Sequence, residues 1–237
     1  MLKKFLMAAV MVVTVSAPTY GDLVTGWNFN NIPTILTTGT PTALGITSIA
    51  STAGTASGTV SLAGFAGNID DFNGSTVNAV SGDSAGASLS LLGGGTAGLF
   101  PGNGGVIRFS TNLSGFQAPT VSFAVQKTNT GFVSNQFAYS LDGGTTFLTF
   151  GTAFNPATAY AIQTFDLTGV SGLANLSNAV FQIRFEGATG STGNNRIDNF
   201  QINAVPEPTS IALLVMTGCV GLTAASRRRI TKKTVLS

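Results

Sequence analysis

The sequence predicts an all-β fold, a two-layer antiparallel β-sandwich that is jelly-roll-like, with an N-terminal signal helix and a C-terminal single transmembrane helix outside it. Short segments alternate apolar and polar residues, and glycine-rich stretches separate these segments. No segment between residues 22 and 204 repeats its apolar residues at the helical period of about 3.6. The sixteen phenylalanines that follow residue 21 are the expected filling of the core.

Alternation is clearest at residues 121–125, where Val121, Phe123 and Val125 face one side of the predicted strand. Residues 181–185 repeat the pattern. The other candidate strands cover residues 24–29, 59–62, 87–92, 106–113, 137–141, 146–150, 161–167 and 197–203. Residues 45–68 have weak periodicity overall, so we expect mostly loop or irregular edge there.

Composition excludes several classes of enzyme. The 237 residues contain no histidine, which removes histidine-based catalytic triads and histidine-ligated zinc. The single cysteine removes an internal disulfide framework. Residues 22–205 carry four basic and eight acidic residues, although the whole chain has a net charge of +2. An acidic middle segment predicts no nucleic-acid partner.

Residues 1–21 have the three regions of a signal peptide. Lys3 and Lys4 precede an apolar run at residues 5–15, which is a suitable length for secretion and short for a membrane span. We expect cleavage after Gly21, so that the mature chain begins at Asp22. The alternative is a helix that the mature protein retains.

The C-terminal segment, residues 205–237, also has three parts. Two prolines flank a glutamate in residues 205–210, so this hexamer is expected to be extended, accessible and unable to pair as a strand. Residues 211–226 carry no charge and would form a helix of about 24 Å, a short transmembrane span. Arg227, Arg228 and Arg229 then predict a stop to transfer, with the basic tail 227–237 in the cytoplasm.

This order of features resembles the PEP-CTERM sorting signal of Gram-negative bacteria that secrete exopolysaccharide. The motif Pro206-Glu207-Pro208, the apolar span and the three arginines carry the resemblance. It implies that a membrane enzyme of the exosortase type processes the chain near the motif, after a transient stay in the inner membrane. Residues 230–237 are longer than the stub that such proteins often carry. The alternative is a plain single-pass anchor.

The segment between the two ends resembles secreted jelly-roll modules, among them carbohydrate-binding and MAM-like domains. Residues 137–147 contain Asp142-Gly143-Gly144, a tight turn because glycine tolerates positive φ, and are similar to a hairpin common in such modules. Residues 27–30 and 196–200 are similar to their first and last strands.

Asp198 is the residue to which this resemblance assigns a role. Alternation places Asp198 on one face of its strand with Phe200 and Ile202, and Arg196 on the same face. The resemblance implies a structural calcium at such a carboxylate. Its further oxygen ligands would be Asn28, Asn30 and Asp71. A salt bridge to Arg184 or Arg196, or hydrogen bonds to loop amides, is the alternative.

Sugar binding needs exposed aromatic rings, and the mature region contains one tryptophan and two tyrosines, Trp27, Tyr139 and Tyr160. Tyr139 alternates with core residues, so Trp27 is the candidate ligand-binding residue. Catalysis has little support, because adjacent carboxylates such as Asp70 and Asp71 point apart in a strand. Glu186 shares a face with Arg184, which predicts a surface ion pair.

These observations predict an exported bacterial protein of the cell surface or exopolysaccharide matrix, with a structural or adhesive β-sandwich and no enzymatic activity. A carbohydrate-binding module is the alternative, and a glycoside hydrolase has less support. The expected partners are an exosortase-type enzyme, the inner membrane and extracellular polysaccharide. Apart from the structural calcium, no cofactor is expected.

Overall fold

A computed structural model describes residues 21–31, 48–65, 69–95 and 98–207. They form twelve strands and a single 3₁₀ turn at Ser171–Leu173. The strands are β1 (Asp22–Trp27), β2 (Ile49–Ala50), β3 (Gly58–Ala63), β4 (Ile69–Asn73), β5 (Ala87–Leu92), β6 (Val106–Thr111), β7 (Phe116–Lys127), β8 (Ser134–Ser140), β9 (Leu148–Thr149), β10 (Ala161–Asp166), β11 (Ala179–Glu186) and β12 (Asn194–Pro206).

The strands build two antiparallel sheets of six strands each, which confirms the predicted β-sandwich. Sheet 1 has the order β10-β7-β12-β5-β4, and β1 also pairs with β12. Sheet 2 has the order β2-β3-β6-β11-β8-β9. Strands β2 and β4 were not predicted from the sequence. The predicted terminal helices lie outside the described residues.

Phenylalanine rings join the two sheets, as the composition predicts. Phe109 of sheet 2 stacks on Phe200 of sheet 1, with ring centroids 3.4 Å apart. Phe137 of sheet 2 stacks in the same way on Phe165 of sheet 1, at 3.9 Å. All but Phe165 are fully buried, so these aromatic pairs hold the sheets together across the core.

The hairpin predicted at residues 142–144 connects β8 to β9. Gly143 and Gly144 have φ of 73° and 93°, which glycine adopts without strain. The Asp142 carboxylate accepts hydrogen bonds from the Thr146 backbone N–H at 2.9 Å and from the Ser140 hydroxyl at 2.7 Å. These bonds to Thr146 and Ser140 hold the pKa of Asp142 well below its usual range.

The end of β12 differs from the prediction. Val205 and Pro206, expected to be unable to pair, lie opposite Gln117 and Phe116 of β7. Proline lacks a backbone N–H but keeps its carbonyl acceptor, so it is tolerated where a strand ends and a donor is not required. Sheet 1 therefore extends to the first residue of the Pro-Glu-Pro motif.

Replacing Phe200 by alanine is expected to reduce the free energy of unfolding by about 3–5 kcal/mol, because its ring packs on Phe109 and Phe123. Replacing the half-exposed Phe72 should cost about 1 kcal/mol or less. Urea unfolding, followed by the fluorescence of the single tryptophan, Trp27, measures both variants. Equal losses would contradict the position of Phe200 in the core.

Candidate functional site

The outer face of sheet 1, which points away from sheet 2, carries the most distinctive group of side chains. Along β5 and β12 the residues Leu89, Leu91 and Ile197 are buried in the core. Their neighbours Ser90 and Arg196 are directly opposite each other in the register and point outward. The short serine leaves room on this face for larger side chains from neighbouring strands.

Arg196 and Phe72 form a stacked pair at the centre of this face. The Arg196 guanidinium carbon lies 3.5 Å from the centroid of the Phe72 ring, a cation–π contact. Phe72 is 47% exposed, and since the guanidinium covers one ring face, the exposed part lies on the other face and the edges. An exposed aromatic ring is thus fixed in place by a charged neighbour.

Gln126 of β7 also contacts this guanidinium. In the orientation that satisfies both of its neighbours, its oxygen accepts a hydrogen bond from Arg196 Nη1 at 3.1 Å. Its nitrogen donates to the Thr158 carbonyl at 3.1 Å. Arg196 is therefore positioned by contacts with both an aromatic ring and an amide.

Tyr160 crosses this face from the segment that precedes β10. Its hydroxyl donates a hydrogen bond to the carbonyl of Asn73, the last residue of β4, at 3.0 Å. Strands β10 and β4 are at opposite ends of the main strand order of sheet 1, so this hydrogen bond connects the segment before β10 to the end of β4. Burial raises the pKa of Tyr160, and the hydroxyl stays protonated as a donor at neutral pH.

A polar cleft of about 310 Å³ lies beside Arg196. Its lining contains amides, hydroxyls and two cations, and no acidic residue, and consists of Gln126, Lys127, Thr128, Asn129, Thr158, Asn194 and Arg196. Two buried atoms of this lining, Arg196 Nε and Asn194 Oδ1, have no hydrogen-bond partner within the described structure. Buried polar groups are normally paired, so an unpaired donor and an unpaired acceptor indicate a site for a polar ligand or water.

The sequence did not lead us to predict this group of side chains on the outer face of sheet 1. Phe72 lies on β4, whose Asp-Asp-Phe-Asn sequence has no clear alternation. The available signal was the scarcity of charge, because Arg196 and Lys127 are two of only four basic residues in residues 22–205. Tyr160 was considered only as one of the few aromatic candidates for sugar binding.

Asp198 does not share a face with Phe200 and Ile202, contrary to the prediction. Asn199 has a φ of 48°, in the left-handed region, and the register of β12 with β7 shifts between Asp198 and Gln201. This β-bulge reverses the alternation. Asp198 therefore lies on the outer side of sheet 1, while Phe200 and Ile202 lie in the core.

The Asp198 carboxylate is nevertheless fully buried, because residues of the β4–β5 connection cover it. Its Oδ2 accepts a hydrogen bond from the Ser75 N–H at 2.7 Å, and its Oδ1 accepts one from the Asn199 N–H at 2.8 Å. Burial raises the pKa of Asp198 to about 7, the two N–H donors oppose the rise, and the nearby Asp83 adds to it.

The calcium ligands expected from the sequence do not form an oxygen cradle around Asp198. The Asn28 side-chain oxygen accepts from the Asn30 N–H, and the Asn30 oxygen accepts from the Ala87 N–H. Asp71 lies exposed on β4. Among the described residues no group of three or more acidic or cysteine side chains is placed to hold a metal ion. As arranged, these oxygens face N–H donors, so the set does not fit calcium.

Trp27, the candidate ligand-binding residue, lies in the core and is 1% exposed. Its ring makes edge contacts with Phe109 and Phe200, at centroid distances of 5.2 and 5.9 Å. Its Nε1 donates to the Ile49 carbonyl at 3.3 Å. No ring face is left for a sugar, because the alternation of β1 directs Trp27 inward. The predicted ion pair is present, with Arg184 Nη2 2.9 Å from Glu186 Oε1 on sheet 2.

Only the start of the predicted sorting signal lies within the described residues. Pro206 ends β12 and Glu207 follows it, whereas Pro208, the span 211–226 and Arg227, Arg228 and Arg229 lie outside. Within the part of the chain that the structure describes, no helix combines the length and hydrophobicity that crossing a bilayer requires.

No protein-family model and no curated protein matches the sequence. Among solved structures, the CBM22-1 xylan-binding domain from Paenibacillus barcinonensis Xyn10C is similar, at 13% identity and a TM-score of 0.37, over 81% of this chain and 99% of that one. TmCBM61, solved with beta-1,4-galactotriose, is similar at 9% identity and a TM-score of 0.36, over 61% and 88%.

The K2 cleaved adhesin domain of Lys-gingipain is also similar, at 13% identity and a TM-score of 0.36, over 57% of this chain and 82% of that one. At TM-scores and identities this low, the likeness carries no argument about what the present domain binds. The residues of the outer face must supply that argument.

Asp198 predicts a pH dependence of stability opposite to that of most carboxylates. Its pKa is about 7 in the folded protein and about 3.9 in the unfolded chain, so the folded state holds the proton between these values. Stability from this group is full below about pH 4 and is lost as the pH rises through 7.

The variant Asp198→Asn should lack this loss, which we expect to be on the order of 2–4 kcal/mol at most. Urea unfolding of both proteins from pH 4 to pH 8.5 measures the difference between them, in which contributions from other groups cancel. Asp83→Asn is the control variant, and it should move the loss to lower pH. A difference that stays constant over the whole range would contradict the raised pKa.

Proposed function

We propose that this domain binds polysaccharide without cleaving it, as the folded part of an exported bacterial surface or matrix protein. The observation that carries the proposal is the half-exposed Phe72 ring, fixed by Arg196 beside a polar cleft. This favours a dedicated carbohydrate-binding role over a purely structural or adhesive one.

The chemistry of the outer face suits a sugar. One face of a pyranose ring is lined by C–H groups and stacks on aromatic rings, while its hydroxyls need donors and acceptors at the edges. Phe72 offers the ring, and the amides of Gln126 and Asn194 and the hydroxyl of Thr128 line the adjacent cleft. A cleft of about 310 Å³ is also within the range of small-ligand sites.

The position of the carboxylates supports binding without cleavage. Glycoside hydrolysis needs two carboxyl groups about 5–9.5 Å apart around the scissile bond. No acidic residue lines the cleft, and Asp198, despite its raised pKa, is buried away from any substrate. Glu186 is paired with Arg184 on the other sheet.

The proposal for the two ends of the chain rests on their sequences. Residues 1–21 export the protein, and residues 205–237 hold it in the inner membrane until an exosortase-type enzyme processes it near Pro206-Glu207-Pro208. The domain then reaches the cell surface or the extracellular matrix, where polysaccharide is available.

Phe72→Ala is expected to weaken polysaccharide binding by about 5- to 10-fold, because it removes the stacking surface. Affinity electrophoresis or calorimetry against a panel of neutral and acidic polysaccharides measures the effect. Phe147→Ala is the matched control, since Phe147 makes the corresponding contact with Arg108, at 4.9 Å, on sheet 2. Equal loss in both variants, or no binding to any polymer, would contradict the proposal.

The exported form should begin at Asp22 and should lack residues 211–226. Mass spectrometry of the protein released by cells that carry the processing enzyme measures both termini. Glu207→Ala should leave the N-terminus unchanged and allow the intact C-terminal segment to accumulate in the membrane. An intact C-terminus in the released wild-type protein would exclude processing at the motif.

A further inference from the structure

We infer that the cleft beside Phe72 selects polysaccharides that carry carboxylate groups, such as those built from uronic acids. This inference rests on the proposed function, and it adds the chemical class of the ligand. It starts from where the domain places its few positive charges and from the hydrogen bonds that Arg196 lacks.

Two of the four basic residues of the domain line the cleft, although the domain as a whole is acidic. The other two are engaged elsewhere. Arg184 forms an ion pair with Glu186, and Arg108 donates to Gln182 at 2.9 Å while lying over Phe147. In the described structure neither Arg196 nor Lys127 forms a salt bridge.

The buried Nε edge of Arg196 has the hydrogen-bonding geometry that a carboxylate requires. One face of the guanidinium stacks on Phe72, and Nη1 donates to Gln126. Nε has no acceptor among the described residues. Nε and Nη2 form the side-on fork of an arginine, and a planar carboxylate accepts two parallel hydrogen bonds from such a fork.

The surroundings of Arg196 favour this pairing further. Partial burial lowers the pKa of Arg196, which reflects a poorly hydrated guanidinium. An ion pair is stronger at a partly dehydrated site than at a fully exposed one. The unpaired Asn194 Oδ1 can accept a hydrogen bond from a neighbouring sugar hydroxyl.

The test compares polymers that differ in charge and share a backbone. The pairs are polygalacturonate with its methyl ester, carboxymethyl cellulose with hydroxyethyl cellulose, and dextran sulfate with dextran. We expect the exported protein to bind at least one carboxylated polymer about 10-fold more tightly than its neutral partner at low salt. Raising the salt concentration should reduce this preference.

Variants of the basic residues distinguish the contribution of charge to binding from that of aromatic stacking. Lys127→Ala and Arg196→Gln should each lower the preference for the carboxylated polymer by about 5- to 10-fold. Arg108→Gln, which removes a cation from sheet 2, is the matched control and should leave this preference unchanged. Thermal unfolding confirms that each variant is folded.

Each outcome decides a different point. Equal binding of charged and neutral partners overturns the inference and leaves the proposed function standing. A preference confined to dextran sulfate makes the ligand group a sulfate and overturns the assignment to carboxylate. Absence of binding to all six polymers overturns the inference together with the proposed function.

Discussion

Asn199 has a left-handed backbone conformation, and this residue determines which side of β12 each following side chain faces. Before it, Ile197 lies in the core and Arg196 points outward; after it, Phe200 lies in the core. The bulge also marks a change of neighbour, since β5 pairs with β12 as far as Ile197 and β1 from Phe200 onward. The aromatic core and the outer face of sheet 1 both depend on it.

The bulge leaves polar groups of Asp198 and Asn199 without partners in the sheet. Residues of the β4–β5 connection, 74–86, form hydrogen bonds with these groups. Asn199 Nδ2 donates to the carbonyls of Ser75 and Val77, and Asp198 accepts from the Ser75 N–H. Asn78 donates to the Asn199 carbonyl at 2.7 Å. This network encloses a carboxylate whose ionised form is disfavoured by burial. The same residues that make the bulge possible therefore make local stability sensitive to pH.

Sequence patterns predicted the regular parts of the fold well, because alternation directly reflects burial. Strands β5 and β11 and the glycine turn after β8 follow from local pattern alone. The face of Asp198 could not be predicted, since a one-residue bulge reverses the pattern without changing composition. The Asp-Asn pair was the only hint, as asparagine tolerates the left-handed region better than most residues.

The outer face of sheet 1 was harder to predict for a related reason. Phe72 and Arg196 are far apart in sequence and become neighbours only because β4, β5 and β12 are adjacent in sheet 1. Trp27 was the more obvious aromatic candidate, but in a β-sandwich a large ring near a strand end is as often part of the core. Its burial against Phe109 and Phe200 could be recognised only once the two sheets were placed together.

Sheet 1 holds β12 in its ladder up to Pro206, and Glu207 follows with no intervening linker. A processing enzyme encloses several residues on each side of the bond it cuts. To act at the motif, it must detach the end of β12 from β7 or cut beyond the motif on its C-terminal side. If the proposed processing takes place, the folded domain would limit how short the remaining C-terminal segment can become.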